Sequence, residues 1–136
     1  MSHHIHADSA PAKERISKQC AALSDVITAH RDELRDLLLN DESYETAKDE
    51  LWRSLDALQN ISKEIDYLSY GRVDLMCTFL PVNLPLYSLV IFVIVPGFMA
   101  NEVIVRPPVL MRDLVQKIWT LLQLTALFPH IKFVDM

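Results

Sequence analysis

Apolar residues Ile16, Cys20, Leu23, Ile27, Leu34 and Leu38 recur at helical spacing between about Pro11 and Leu39, with acidic and basic residues filling the other positions. This pattern predicts an amphipathic helix. The polar break Asn40-Asp41-Glu42-Ser43 follows, and then Leu51, Leu55, Leu58, Ile61, Ile65 and Leu68 step by three and four, predicting a second helix with Gly71 as its stop. Each helix is charged outside and apolar along one stripe. Such a pair can form a hairpin, offer a partner-binding surface or cover another layer.

The pattern changes at Val73. From Val73 to Leu80 the chain is mostly apolar over strand length, with β-branched and aromatic members, which predicts a central strand buried on both faces. Leu84 to Met99 reads as a helix that is apolar almost all round and therefore enclosed, with Pro85 in its first turn, where a missing N–H costs nothing. Glu102 to Arg106 reads as a short strand that Pro107 and Pro108 prevent from continuing. Leu110, Leu114, Ile118, Leu121 and Leu122 then mark a helix ending near Phe128-Pro129, and Ile131 to Val134 is a third strand.

Strand, helix, strand, helix, strand is the alternation of a parallel sheet with crossover helices. The predicted fold class is α/β: two amino-terminal helices followed by a partial Rossmann-like βαβαβ sheet. Residues 1–10 are expected to be a flexible tail, 11–71 the helical pair, and 72–136 a partial nucleotide-binding unit that shares one compact body with 11–71. Ligands of such sheets bind at the carboxyl ends of the strands. In this chain those ends are the Pro81–Asn83 corner and the Arg106–Pro108 corner.

No charged residue falls between Leu75 and Asn101, so a membrane span competes with the buried-sheet reading. Pro81, Pro85 and Pro96-Gly97 interrupt the run. The longest uninterrupted piece, Leu86 to Val95, is about half the roughly twenty residues that a spanning helix needs. The whole chain has 136 residues, of which 51% are hydrophobic, enough for one small core, and its net charge of −5 has no basic patch suited to nucleic acid. Its two cysteines, Cys20 and Cys77, read as reduced packing thiols on a helix face and in a buried strand. Together with an amino terminus that lacks signal-peptide order, they fit a cytoplasmic setting. His3, His4 and His6 have no fourth ligand at a useful spacing, so no metal site is assigned.

Two segments carry a resemblance. Leu80-Pro81-Val82-Asn83-Leu84-Pro85-Leu86, followed by Ala100-Asn101-Glu102-Val103-Ile104-Val105-Arg106-Pro107-Pro108, resembles the start of the cofactor domain of the aldehyde dehydrogenase superfamily. That family typically shows Pro-Trp-Asn-Phe-Pro and then Gly-Asn-x-Val-Val-x-Lys-Pro-Ser at matching separation. The similarity extends in weaker form from about Ile16 to Val134, with Ala21–Asp36 and Lys48–Asp56 in the places of the family's first long helix and the acidic helix after it. It implies an NAD- or NADP-dependent oxidoreductase acting on aldehydes or acyl thioesters. Asn83 would then be an oxyanion donor, and Leu80, Pro81, Arg106 and Pro107 would lie at the cofactor.

The sequence departs from the family at several positions. Arg106 stands where a lysine is usual, and its planar fork suits either a phosphate-bearing cofactor or a structural ion pair. Val82 replaces an aromatic residue and Pro108 a small or acidic one. The link Tyr70-Gly71-Arg72 is too short for the hairpin that the family commonly uses in subunit contact. No counterpart of the family's glycine-containing cofactor helix, general-base glutamate or nucleophilic cysteine segment is present; Cys77 lies inside the first strand with no neighbouring activator. The resemblance therefore implies an amino-terminal piece of the enzyme, inactive alone, whose partners are the remainder of the enzyme, a second copy or another subunit. Two alternatives remain: a non-catalytic α/β interaction module completed by a partner subunit, and a small single-span membrane protein.

Overall fold

The computed structural model describes the backbone of residues 3–68 and 73–134, and the side chains of residues 13–61 and 73–134. Its elements are α1 (His3–Ala29), α2 (Arg31–Leu38), α3 (Tyr44–Leu68), β1 (Val73–Phe79), α4 (Pro85–Ser88), a π-helical stretch (Leu89–Ile94), α5 (Val95–Gly97), β2 (Ala100–Arg106), a 3-10 turn (Val109–Met111), α6 (Arg112–Leu121), α7 (Leu124–Leu127) and β3 (Ile131–Phe133). The expected α/β alternation is present. Helical backbone starts at His3, where the sequence suggested a tail, and the first predicted helix is two, divided at His30. The side chains of His3, His4, His6, Ile65 and Leu68 and the Gly71 stop lie outside the described residues.

The apolar stripes do what their spacing predicts. Ile16, Cys20, Leu23, Ile27, Leu34 and Leu38 are all buried, as are Leu51, Leu58 and Ile61, while Leu55 packs at the margin. Ser43 starts α3: its Oγ accepts the Thr46 N–H at 3.1 Å, satisfying one of the donors that a helix start leaves without a partner.

α3 packs on α4 and the π-helical stretch, and α2 packs on α6. The amino-terminal helices thus cover the crossover helices, whose other side meets the sheet. That cover buries Leu86, Leu89, Val90, Val93 and Ile94, but Tyr87, Ile91 and Val95 are half-buried and Phe92 is 46% exposed, so the helix is not enclosed all round as its sequence suggested. Pro96 is accommodated in this helix because the preceding stretch widens to π geometry, which relaxes the i−4 register that a proline disrupts. His130 Nε2–H donates to the Gly97 carbonyl at 3.0 Å and ties the end of the helix to the approach of β3. A Cβ at Gly97 would meet Val103 Cγ2 at 3.3 Å, so a side chain there would require Val103 to give way where helix and sheet approach closely.

All three strands are parallel, in the order β1-β2-β3. With right-handed crossovers, a sequential order places both connecting helices on the same face of the sheet. The burial pattern agrees. Val103, Val105 and Ile131 are buried and Met76, Thr78 and Phe133 are half-buried on one face, whereas Leu75, Cys77, Phe79, Glu102, Arg106 and Lys132 are exposed on the other, with Ile104 half-buried among them. This corrects the expectation of a β1 buried on both faces. β1 is an edge strand, and Cys77 is exposed, not a packing thiol. Among the described residues no helix is long and apolar enough to cross a membrane.

Candidate functional site

The two sequence-marked corners meet at the carboxyl end of the sheet. Phe79 is in register with Arg106, and the Leu80 N–H donates to the Arg106 carbonyl at 3.1 Å, so both chain segments leave the sheet side by side. Pro81, Asn83 and Arg106 are exposed there, but Leu80 and Pro107 are buried. Those two shape the corner from beneath, and the Leu80 amide is already committed to Arg106.

Asn83 reaches the surface because the chain reverses at Leu84, which adopts a left-handed conformation with φ 48° and ψ 62°. For a leucine this costs on the order of 1–2 kcal/mol, and the surroundings must hold it. They do so on the helical side: Ser88 Oγ donates to the Asn83 carbonyl at 3.1 Å, and Pro85 begins α4 immediately after the reversal. The Asn83 side-chain amide is left at the surface. Asn83 and Arg106 are thereby brought to one end of adjacent parallel strands by backbone pairing alone.

Behind this corner lies a constellation not anticipated from the sequence. α4 has no side-chain cap of its own. Glu50, reaching across from α3, supplies one: its Oε2 accepts the Tyr87 N–H at 2.9 Å, and the Leu86 N–H also points at this carboxyl group. Glu50 is only 1% exposed, and its second carboxyl oxygen and both Glu42 oxygens are buried without a donor. The Glu42 carboxyl group acts on that of Glu50 at close range, and two buried carboxyl groups can pair only if one of them keeps a proton. Burial first, and then the Glu42 carboxyl group, push the Glu50 pKa up to about 9, against the lowering effect of the two backbone donors. The sequence did hold a signal. Ala47, Glu50, Leu51, Ser54 and Leu58 share the buried stripe of α3, so Glu50 is a charged residue at an apolar position.

Burial alone pushes the Cys20 thiol up to about 12, which leaves it an unreactive packing group. Among the described residues no group of three or more His, Cys, Asp or Glu side chains could hold a metal. Open grooves lie between α3 and the crossover helix, lined in part by Arg53, Asp56, Asn60 and Tyr87, and between α2 and α6, lined in part by Asp36, Asp113 and Lys117. Neither is lined by Asn83 or Arg106. Comparison with family models, curated proteins and solved structures finds no match in any of the three.

Proposed function

We propose that this chain supplies the first part of a nicotinamide-nucleotide site of the aldehyde dehydrogenase type. Asn83 offers an amide donor to a developing oxyanion, and Arg106 offers a cation to the ribose or phosphate of NAD or NADP. One observation carries the reading: the Leu80–Arg106 hydrogen bond holds the two family-like corners together at the carboxyl end of parallel strands, where α/β sheets receive ligands.

The exposed residues fit only part of a dinucleotide. Pro107, Pro108 and Val109 lead from β2 toward α6 with no glycine to let a pyrophosphate approach the backbone. On this reading, pyrophosphate binding and hydride transfer belong to other parts of an enzyme, and the chain is inactive alone. Thermal unfolding with added NAD or NADP tests it. A ligand at a hundred times its Kd stabilises the folded state by about 2.7 kcal/mol, and Arg106→Ala should reduce that gain. No stabilisation by either nucleotide overturns the proposal.

A second reading, a non-catalytic α/β module completed by another subunit, is favoured by the uncovered apolar side of β1. It predicts association without any response to nucleotide.

A further inference from the structure

We infer that the outer edge of β1 pairs with β1 of a second copy, antiparallel and centred on Cys77, joining two three-stranded sheets into one of six strands. The inference does not rest on the nucleotide reading, because neither Asn83 nor the Arg106 side chain takes part.

The hydrogen bonds of the sheet fix which way each residue of β1 turns. The Val103 N–H donates to His130 and the Val134 N–H to Val105, so Val103 and Val105 turn their backbone groups to β3, and Ile104 and Arg106 turn theirs to β1. The Leu80 N–H donates to the Arg106 carbonyl, so Met76 and Thr78 face β2 in the same ladder. Leu75, Cys77 and Phe79 then present their N–H and C=O groups outward, where none of the described strands pairs with them. Val73, at the start of the strand, also turns inward, its N–H donating to Met99 at 2.9 Å. The outward row is therefore Leu75, Cys77 and Phe79, and it is symmetric about Cys77. A two-fold axis there makes Cys77 exchange both of its hydrogen bonds with its counterpart and makes Leu75 do so with Phe79, so the whole outward row of each copy is satisfied.

The side chains suit the same register. Leu75 and Phe79 are 51% and 72% exposed and Cys77 is exposed between them, an unusual apolar load for an edge strand. Pairing about Cys77 sets Leu75 beside Phe79 of the other copy on both sides of the two Cys77 residues, and so joins the two rows into one apolar stripe on the open face. On the helix face, Met76 and Thr78 are half-buried within one copy and lie opposite each other across the interface as close, non-hydrogen-bonded pairs. Charge is compatible as well. Asp74, the only charged residue of β1, lies outside the outward row, and its carboxylate accepts from Asn101 Nδ2 of β2 at 3.1 Å. β1 lacks the lysine or proline that commonly guards a long edge, whereas the opposite edge, β3, is three residues long and carries Lys132. Because the outward row matches itself residue for residue, the occupant that this edge specifies is another copy of the chain.

Sedimentation velocity over a range of concentrations should show a monomer–dimer equilibrium, and amide hydrogen exchange should report its register. The Leu75, Cys77 and Phe79 amides should gain protection as concentration rises, whereas the Met76, Thr78 and Leu80 amides, already bonded to β2, should be protected throughout. This pattern is read on the wild-type chain and stands whether or not a variant folds. Cys77→Lys sets like charges directly opposite each other on the axis, and Leu75→Lys sets a charge against Phe79; both change exposed side chains, and each should give monomers with an unchanged far-UV spectrum. Adding Phe79→Glu to Leu75→Lys places opposite charges across both pairs and should restore the dimer. A monomer at every concentration, Leu75, Cys77 and Phe79 amides whose protection does not respond to concentration, a dimer that survives Cys77→Lys, or a Phe79→Glu change that fails to rescue Leu75→Lys overturns the inference.

Discussion

Replacing Glu50 with glutamine tests the physical core of the structure. In the folded chain Glu50 holds a proton up to about pH 9, whereas an unfolded glutamate loses it near 4.5. The folded state therefore binds more protons between those values. The stability contributed by this group is full below about 4.5 and is lost as pH rises toward 9. One proton gives a slope of about 1.4 kcal/mol per pH unit, so between about pH 6 and pH 8 the wild type should lose roughly 3 kcal/mol that the glutamine variant keeps. Set against a typical total of about 5–15 kcal/mol, that loss is large. Glutamine can still accept the Tyr87 N–H, and its amide can donate to Glu42, imitating the protonated acid. Urea titrations at several pH values should give wild-type and variant stabilities that are similar near pH 5 and diverge steadily above it. Parallel curves from pH 5 to 9 would mean that Glu50 is ionised in the folded chain, and the shared proton would be refuted.

Other outcomes follow from single residues. Iodoacetamide should label Cys77 in the folded chain but reach Cys20 only on unfolding, as mass spectrometry under native and denaturing conditions would show; equal labelling would contradict their different burial. Phe128 is fully buried and meets Phe98 at 6.1 Å between ring centroids, so Phe128→Ala should cost about 3–5 kcal/mol in chemical denaturation. Gln123 is exposed in a left-handed conformation with φ 52° between α6 and α7. Gln123→Gly should be neutral or stabilising by up to about 1 kcal/mol, and a loss of more than that would contradict strain at this position.

Element type and order were legible because each segment of the chain carries one clear period. The steps of three and four through Leu23, Ile27, Leu34 and Leu38, and the prolines at 85 and 107, placed helix and strand within a few residues of where they lie. The meeting of the Asn83 and Arg106 corners was legible too, since it follows from two parallel strands in register. The exposure of β1 was not. An apolar strand reads the same whether its own chain or another surface covers it, and only the one-sided crossovers reveal that the outer face of Leu75, Cys77 and Phe79 is bare. The Glu42–Glu50 pair was hidden for a different reason. Its meaning depends on Leu86 and Tyr87 amides that arrive from a segment far along the chain, and no local pattern records that contact. The division of the first helix at His30 likewise left no break in the apolar stripe, because Ile27 and Leu34 are both buried on either side of it.

The proposed function requires that the Asn83–Arg106 corner receive a nicotinamide nucleotide. Amide chemical-shift mapping during titration with NAD and with NADP tests it most directly, since it detects weak binding and locates it. Saturable shifts are expected at Val82, Asn83, Leu84, Arg106 and Val109, weakened by Arg106→Ala, with the α2–α6 groove unaffected. A spectrum unchanged by either nucleotide, or shifts confined to residues away from the carboxyl ends of β1 and β2, would contradict it.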